Sequence, residues 1–376
     1  MDTGAGCGNI PGQGVMPSFL SARKPEFLYW GFCVLSALVS AYVMIYALGV
    51  SAMLRDGPHH TSMLWVIDGT LVRPYIYRTL MTAVSQFIVS ITPAFIEESV
   101  NSLVLSAVHT DFGQRFAENA KWVEYSTKLA TPQYLYTVIV TVALMYACIV
   151  AYSFVLLRIA RVCFPKHPLA AYATALAGLV ILLPLINAAF KTYDPPTLLL
   201  AALCLYFMLL ERWKAYLITF IFTCINKETA ILQTVVFAMA FHNRMPVRQF
   251  VKLLVMQVAI FACIKMGISL YFVDQPGHVA KYREAWVIAI VSRVIEGYHL
   301  MLLVMLCWCL FSRWQEIPHV LRHTLWIFAG LLPVYYLLGY PYEYRVFIDC
   351  YPGFTVIACY TLFRKIDSPP PKTEAG

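Results

Sequence analysis

Four short polar clusters interrupt an otherwise apolar chain, and their residue types suit proton transfer and anion binding. The first is Asp68-Gly69-Thr70-Leu71-Val72-Arg73-Pro74-Tyr75-Ile76-Tyr77-Arg78 and the second is Lys191-Thr192-Tyr193-Asp194-Pro195-Pro196. The third is Asn226-Lys227-Glu228-Thr229, and the fourth is Tyr342-Glu343-Tyr344-Arg345 with Asp349 one turn further on. Guanidinium and ammonium groups hold phosphate, and a carboxylate takes the proton of an attacking hydroxyl. A leaving group that is itself an anionic phosphate, already held by Arg or Lys, needs no general acid. A carboxylate base and a cationic cradle therefore suffice for transfer from a lipid phosphate.

Each cluster also has a plainer use. Lys227 and Glu228 are adjacent, point to different sides of a helix and so each needs another partner. Arg345 and Asp349, at i and i+4, have the spacing of a local pair. Asp194 before two prolines has the form of a helix start. Asp68 with Arg73 and Arg78 fits a loop ion-pair network, and Tyr75, Tyr77, Tyr342 and Tyr344 fit interfacial anchors. His59 and His60 beside Asp56 are a weak metal-ligand pattern, because adjacent loop histidines seldom share an ion. No cofactor is expected; a divalent metal is chemically compatible but no ligand spacing supports one.

The elements that must position these groups follow from composition. Of the 376 residues, 60% are hydrophobic and 13% charged, and the mean hydropathy is +0.68. That leaves too little polar surface to cover a water-soluble globule, so lipid is the expected solvent. Runs such as Leu28 to Leu54, Tyr134 to Leu157 and Leu253 to Val273 reach the roughly 20 residues a helix needs to cross hydrocarbon. The expected fold is an all-α polytopic membrane protein of about ten transmembrane helices, near 28–54, 133–157, 168–190, 197–210, 213–226, 229–242, 249–273, 298–312, 324–340 and 345–363. Spans four to six are short for full crossings.

The net charge of +8 would suggest nucleic acid in a soluble protein, but here it reads as topology and no nucleic-acid partner is expected. Fifteen of the 28 basic residues and only six of the 20 acidic ones fall in the tails and in every second loop. By the positive-inside rule both termini are cytoplasmic. The expected organisation is a tail at 1–27, a single transmembrane domain at 28–363 and a tail at 364–376. Residues 55–132 then form a large non-cytoplasmic loop. In it Leu80, Val84, Phe87, Ile88, Ile91 and Phe95 share a helical face opposite Thr82, Ser85 and Gln86, the pattern of an interfacial helix or a shallow re-entrant segment. All four polar clusters then fall at the outer ends of helices. Most of the eleven cysteines lie in apolar runs as small hydrophobes, without a disulfide or zinc spacing.

An acidic residue in the first outer loop, interfacial helices in that loop and about ten helices of unequal length resemble the GT-C superfamily of polyprenyl-phosphosugar-dependent membrane glycosyltransferases. The pieces Arg73 to Arg78, Tyr193-Asp194-Pro195, Asn226 to Thr229 and Glu343-Tyr344-Arg345 resemble short motifs in bacterial membrane proteins of that kind. The resemblance implies transfer of a sugar from a polyprenyl-phosphate donor to a glycan, lipid or protein acceptor at the non-cytoplasmic face, in a bacterial inner membrane. Asp68 matches the loop carboxylate that acts as base, with Asp56 second. Arg73, Arg78, Lys227 and Arg345 are expected around the phosphate, and Asp194, Glu228, Glu343, Tyr193 and Tyr344 orient sugar, acceptor or those cations. The rival readings are a transporter or flippase for an anionic lipid or solute, and a non-catalytic partner in an envelope assembly. A polysaccharide polymerase is a close chemical relative.

Overall fold

The computed structural model describes residues 19–50, 63, 67, 75–108, 132–165, 167–186, 190–274, 304, 307, 308, 311, 314–338 and 344–367. Among these the chain is helical without a β-strand. The helices are α1 (Phe19–Val50), α2 (Leu80–Ile91), α3 (Ala94–Val108), α4 (Pro132–Cys163), α5 (Pro168–Val180) and α6 (Asp194–Leu209). They continue as α7 (Trp213–Asn226), α8 (Ile231–Phe241), α9 (Val247–Tyr271), α10 (His319–His323), α11 (Leu325–Leu338) and α12 (Tyr351–Asp367). Single 3-10 turns occupy Tyr75–Tyr77, Leu183–Leu185, Glu228–Ala230 and Tyr344–Asp349.

Among the described residues three segments are long and apolar enough to cross a bilayer on their own: Glu26–Gly49, Tyr134–Cys163 and Val247–Tyr271. The shorter apolar helices α5, α6, α8 and α12 pack around them. Helices occupy nine of the ten segments expected from the sequence, and 298–312 falls mostly outside the described residues. Boundaries move: the first helix starts at Phe19 rather than near Leu28, and α6 starts at Asp194 rather than at Thr197.

Lipid-facing character shows in what the helices leave uncovered. On α1, Phe27, Trp30, Val34, Leu38 and Ile45 are exposed, and on α9 only Leu253 and Gln257 are buried. The polar groups turn inward instead. Ser36 bonds Ser153 between α1 and α4, the Tyr216 hydroxyl donates to Gln257 Oε1 at 2.8 Å between α7 and α9, and Tyr351 donates to the Gly178 carbonyl at 3.0 Å between α12 and α5. In hydrocarbon such groups have no water to fall back on, so they pair across helices. Nine described cysteines are free thiols.

The expected interfacial helix is a bent pair. α2 and α3 meet at 114°, where Thr92 is extended before Pro93, a residue that cannot continue the backbone ladder. Phe95 therefore belongs to a second helix and not to the apolar face of the first. On α2 the burial is inverted relative to a soluble helix: Met81 and Ser85 are buried, while Val84, Phe87 and Ile91 are exposed. Ser85 receives a 2.9 Å bond from Thr141 of α4, and Gln86 donates to the Ile67 carbonyl at 2.9 Å.

The α6–α7 hairpin is closed by a Schellman motif. Glu211 adopts a left-handed φ of 53°, its N–H bonds the Met208 carbonyl, and the Arg212 N–H reaches back to Phe207. The turn fixes the two helices antiparallel and thus sets the N-terminus of α6 beside the C-terminus of α7.

Candidate functional site

That pairing of helix ends builds the site. α6 begins with Asp194, Pro195 and Pro196, whose fixed φ and missing N–H suit the first turn of a helix. The Asp194 side chain folds back to accept the Lys191 N–H at 2.8 Å. α7 ends at Asn226, where the chain goes extended through Lys227. Asn226 ties the two ends together by donating from Nδ2 to the Tyr193 carbonyl at 3.1 Å and to Thr197 Oγ1 at 2.8 Å. The 3-10 turns Glu228–Ala230 and Tyr344–Asp349 pack on the same helix ends.

The break at Lys227 lets two adjacent charged residues face different partners. Lys227 donates to Asp349 Oδ2 at 2.7 Å, and Thr229 donates to Asp349 Oδ1 at 3.0 Å. Glu228 takes the Arg78 guanidinium on both carboxylate oxygens, one of them from Nε at 3.1 Å. Arg345 lies 3.6 Å from Asp194 Oδ2 and donates to the Tyr193 hydroxyl at 2.8 Å. Arg78 donates to the same hydroxyl and stacks its guanidinium 4.3 Å from the Tyr193 ring centroid. Tyr193 therefore joins two arginines that stand near opposite ends of the chain.

Four clusters far apart in sequence thus form one network, in which Arg78, Tyr193, Asp194, Lys227, Glu228 and Arg345 all take part. Arg345 reaches Asp194 and Asp349 reaches Lys227, so each member of the i, i+4 pair is engaged across the bundle. Asp68, Arg73 and Glu343 lie outside the described residues, and Tyr344 is described only in its backbone. Asp56, His59 and His60 also lie outside them, and among the described residues no group of three metal-ligating side chains occurs.

No family model, curated protein or solved structure matches this chain. The geometry is accordingly the ground for a functional reading. Asp194 is fully buried and Asp349 nearly so, whereas the Glu228 side chain is 36% exposed against 11% for its partner Arg78. Of the three carboxylates, Glu228 is the one an incoming molecule can touch. Arg78 also lines a groove of about 550 Å³ between α2 and the end of α9, with Ile67, Thr79, Thr82, Gln86, Gly267 and Ile268 among its walls. The Tyr77 ring stands 6.5 Å from that of Phe272 at its rim.

Sequence reasoning passed over Asn226, Thr229 and Asp349 as site members, although all three sit in or beside the quoted clusters. It also passed over Lys265 of α9. That residue is the one charge in the run Leu253 to Val273, and a lone ionisable group at membrane depth is the signal that could have found it. Its Nζ is buried without a hydrogen-bond partner among the described residues, and it lies within electrostatic reach of Glu228 and Arg78.

Proposed function

We propose that this protein transfers a sugar from a polyprenyl-phosphate carrier to a glycan, lipid or protein acceptor at the non-cytoplasmic face of a bacterial plasma membrane. The observation that carries the reading is the convergence of Arg78, Lys227 and Arg345 with three carboxylates at one end of an apolar bundle, beside an amphipathic groove that Arg78 lines. The bundle is of about ten spans, GT-C-like, with both termini cytoplasmic. Buried charge is costly, and a cluster of it at helix ends in a membrane protein marks a ligand path more often than a fold requirement.

In this reading the acceptor hydroxyl attacks the anomeric carbon, the bond from that carbon to the phosphate oxygen breaks, and the phosphate leaves as an anion. Asp68 takes the hydroxyl proton. Arg78 is the first cation a phosphate in the groove meets, and Glu228 holds its guanidinium in a fixed plane. Lys227 and Arg345 stand behind it, each held by a carboxylate, and contribute their positive field. Arg73, Glu343 and Tyr344 orient donor or acceptor.

The test is consumption of polyprenyl-phosphate sugars by the purified full chain in nanodiscs. Wild type is compared with Asp68→Asn, Glu228→Gln and Arg345→Ala at matched folding. Loss of turnover in Asp68→Asn and Arg345→Ala, by about 100-fold or more for a lost base or charge stabiliser, is the expected result. No consumption of any donor by the wild type, together with passage of a lipid phosphate across the nanodisc-free liposome membrane, would replace transfer by translocation.

A further inference from the structure

The cations of the network are already engaged, with one exception. Arg78 is taken by Glu228 and Tyr193, Arg345 by Asp194 and Tyr193, and Lys227 by Asp349. Lys265 has a buried ammonium with no acceptor among the described residues. An ammonium at membrane depth without a hydrogen-bond acceptor is a binding-site signal, and an anion in the neighbouring groove would supply the acceptor.

The direction from which that anion comes is set by helix geometry. Lys265 and Ile268 stand at i and i+3 and so share one face of α9, and Ile268 lines the groove together with Phe272, the residue that caps the helix. The Lys265 ammonium lies within electrostatic reach of Arg78, which lines the same groove. At Gly267 an added Cβ would meet nothing within 4 Å, so the groove is open at that point. Across from it, α2 offers Thr79, Thr82 and Gln86 to the groove and turns Val84, Phe87 and Ile91 outward. A ligand with a charged head and a long apolar tail matches both surfaces at once.

We infer that Lys265 and the groove between α2 and the end of α9 seat the phosphate of a lipid that enters sideways from the bilayer, with Lys265 supplying the charge that the paired cations cannot. The inference rests on the lipid-phosphate reading above and adds to it the residue and the route. Lys265 is a binding residue in this scheme, and Gly267 keeps the route open.

The test is equilibrium binding of a fluorescent polyprenyl monophosphate to the full chain in nanodiscs of zwitterionic lipid, without any sugar. The expected result is binding weakened about tenfold by Lys265→Met, which removes one charge-assisted contact, and largely retained in Lys265→Arg. Gly267→Leu fills open space and leaves the fold intact, and it should weaken binding as much. Neutral polyprenol should compete poorly, and inorganic phosphate should compete poorly as well. Unchanged binding in both Lys265→Met and Gly267→Leu would overturn the inference, and effective competition by inorganic phosphate would replace the lipid with a soluble anion. Binding that depends on Lys265 in a protein that consumes no donor sugar would sink the transferase reading alone.

Discussion

The two ends of the bundle are both rich in basic residues, yet they handle charge in opposite ways. At the site end, Arg78, Lys227 and Arg345 are withdrawn from solvent and each is met by a carboxylate from a distant segment. At the other end, where α8 meets α10, exposed His242 and Arg244 and half-buried His319, Arg322 and His323 gather without a carboxylate partner among the described residues. There His319 and His323 share a ring-nitrogen bond of 3.0 Å, and the Arg322 guanidinium lies 5.9 Å from the Trp314 ring centroid. Glu211 and Arg212, at the α6–α7 turn, are exposed. Exposed cations such as Arg244 cost little to maintain; buried ones demand acceptors, and the chain brings them from three places, at Tyr193-Asp194, Glu228 and Asp349. The difference separates a built site from a half-open rim.

The contrast can be broken by removing one charge at each end. Lys227→Met leaves the buried Asp349 charge with only the Thr229 hydroxyl on it and should cost roughly 3–5 kcal/mol of stability, whereas Lys227→Met with Asp349→Leu should recover most of that. Arg244→Ala at the opposite end, where the side chain is exposed, should cost under about 1 kcal/mol. Thermal unfolding in matched detergent reads all three, and equal losses at the two ends would end the distinction.

Packing near the site end of α12 gives the next largest effect. A Cβ at Gly353 would collide with Thr324, including its Cβ at 2.8 Å, so Gly353→Ala should destabilise by about 1–3 kcal/mol. Gly31→Ala, where nothing lies within 4 Å, should be silent. At the α6–α7 turn the sign reverses: Glu211→Gly suits the left-handed φ of 53° and should raise stability by about 0.5–1 kcal/mol. A fall would mean that Glu211 makes contacts worth more than its backbone costs.

The smallest effect sharpens the comparison through pH. Partial burial, then His319, Arg322, His242 and Arg244, hold His323 down at about 4. The unfolded chain takes up its proton near the usual 6.5, so the folded state keeps its full stability above that value. It loses stability as pH falls toward 4, because the unfolded state then binds more protons. Melting curves between pH 7.5 and 5 should decline more steeply for wild type than for His323→Gln.

Much of the fold was legible because lipid imposes a length rule. The runs that became α1, α4 and α9 announce themselves by 20 or more apolar residues, and the positions of Asp194-Pro195-Pro196 and Lys227-Glu228 mark helix ends. The bend at Thr92-Pro93 was written in the sequence but lost against the regular apolar spacing from Leu80 to Phe95. The site was legible as four clusters, not as a wiring pattern. Arg345 and Asp349 carry the spacing of a local pair, and only the approach of α6 and the Glu228–Ala230 turn gives them other partners. Lys265 was hidden by its surroundings, since a single lysine in an apolar helix forms no motif.

Tyr193 has a consequence for how the molecule comes into being. Its one hydroxyl receives Arg78 from the segment before α2 and Arg345 from the segment before α12, residues far apart in the order of synthesis. Until the last helix is threaded, that oxygen holds at most one of its two arginines and Asp194 waits for Arg345. The network therefore closes only when the turn before α12 has reached α6, and the atom that organises the charges ties the order of assembly to the partner that is made last.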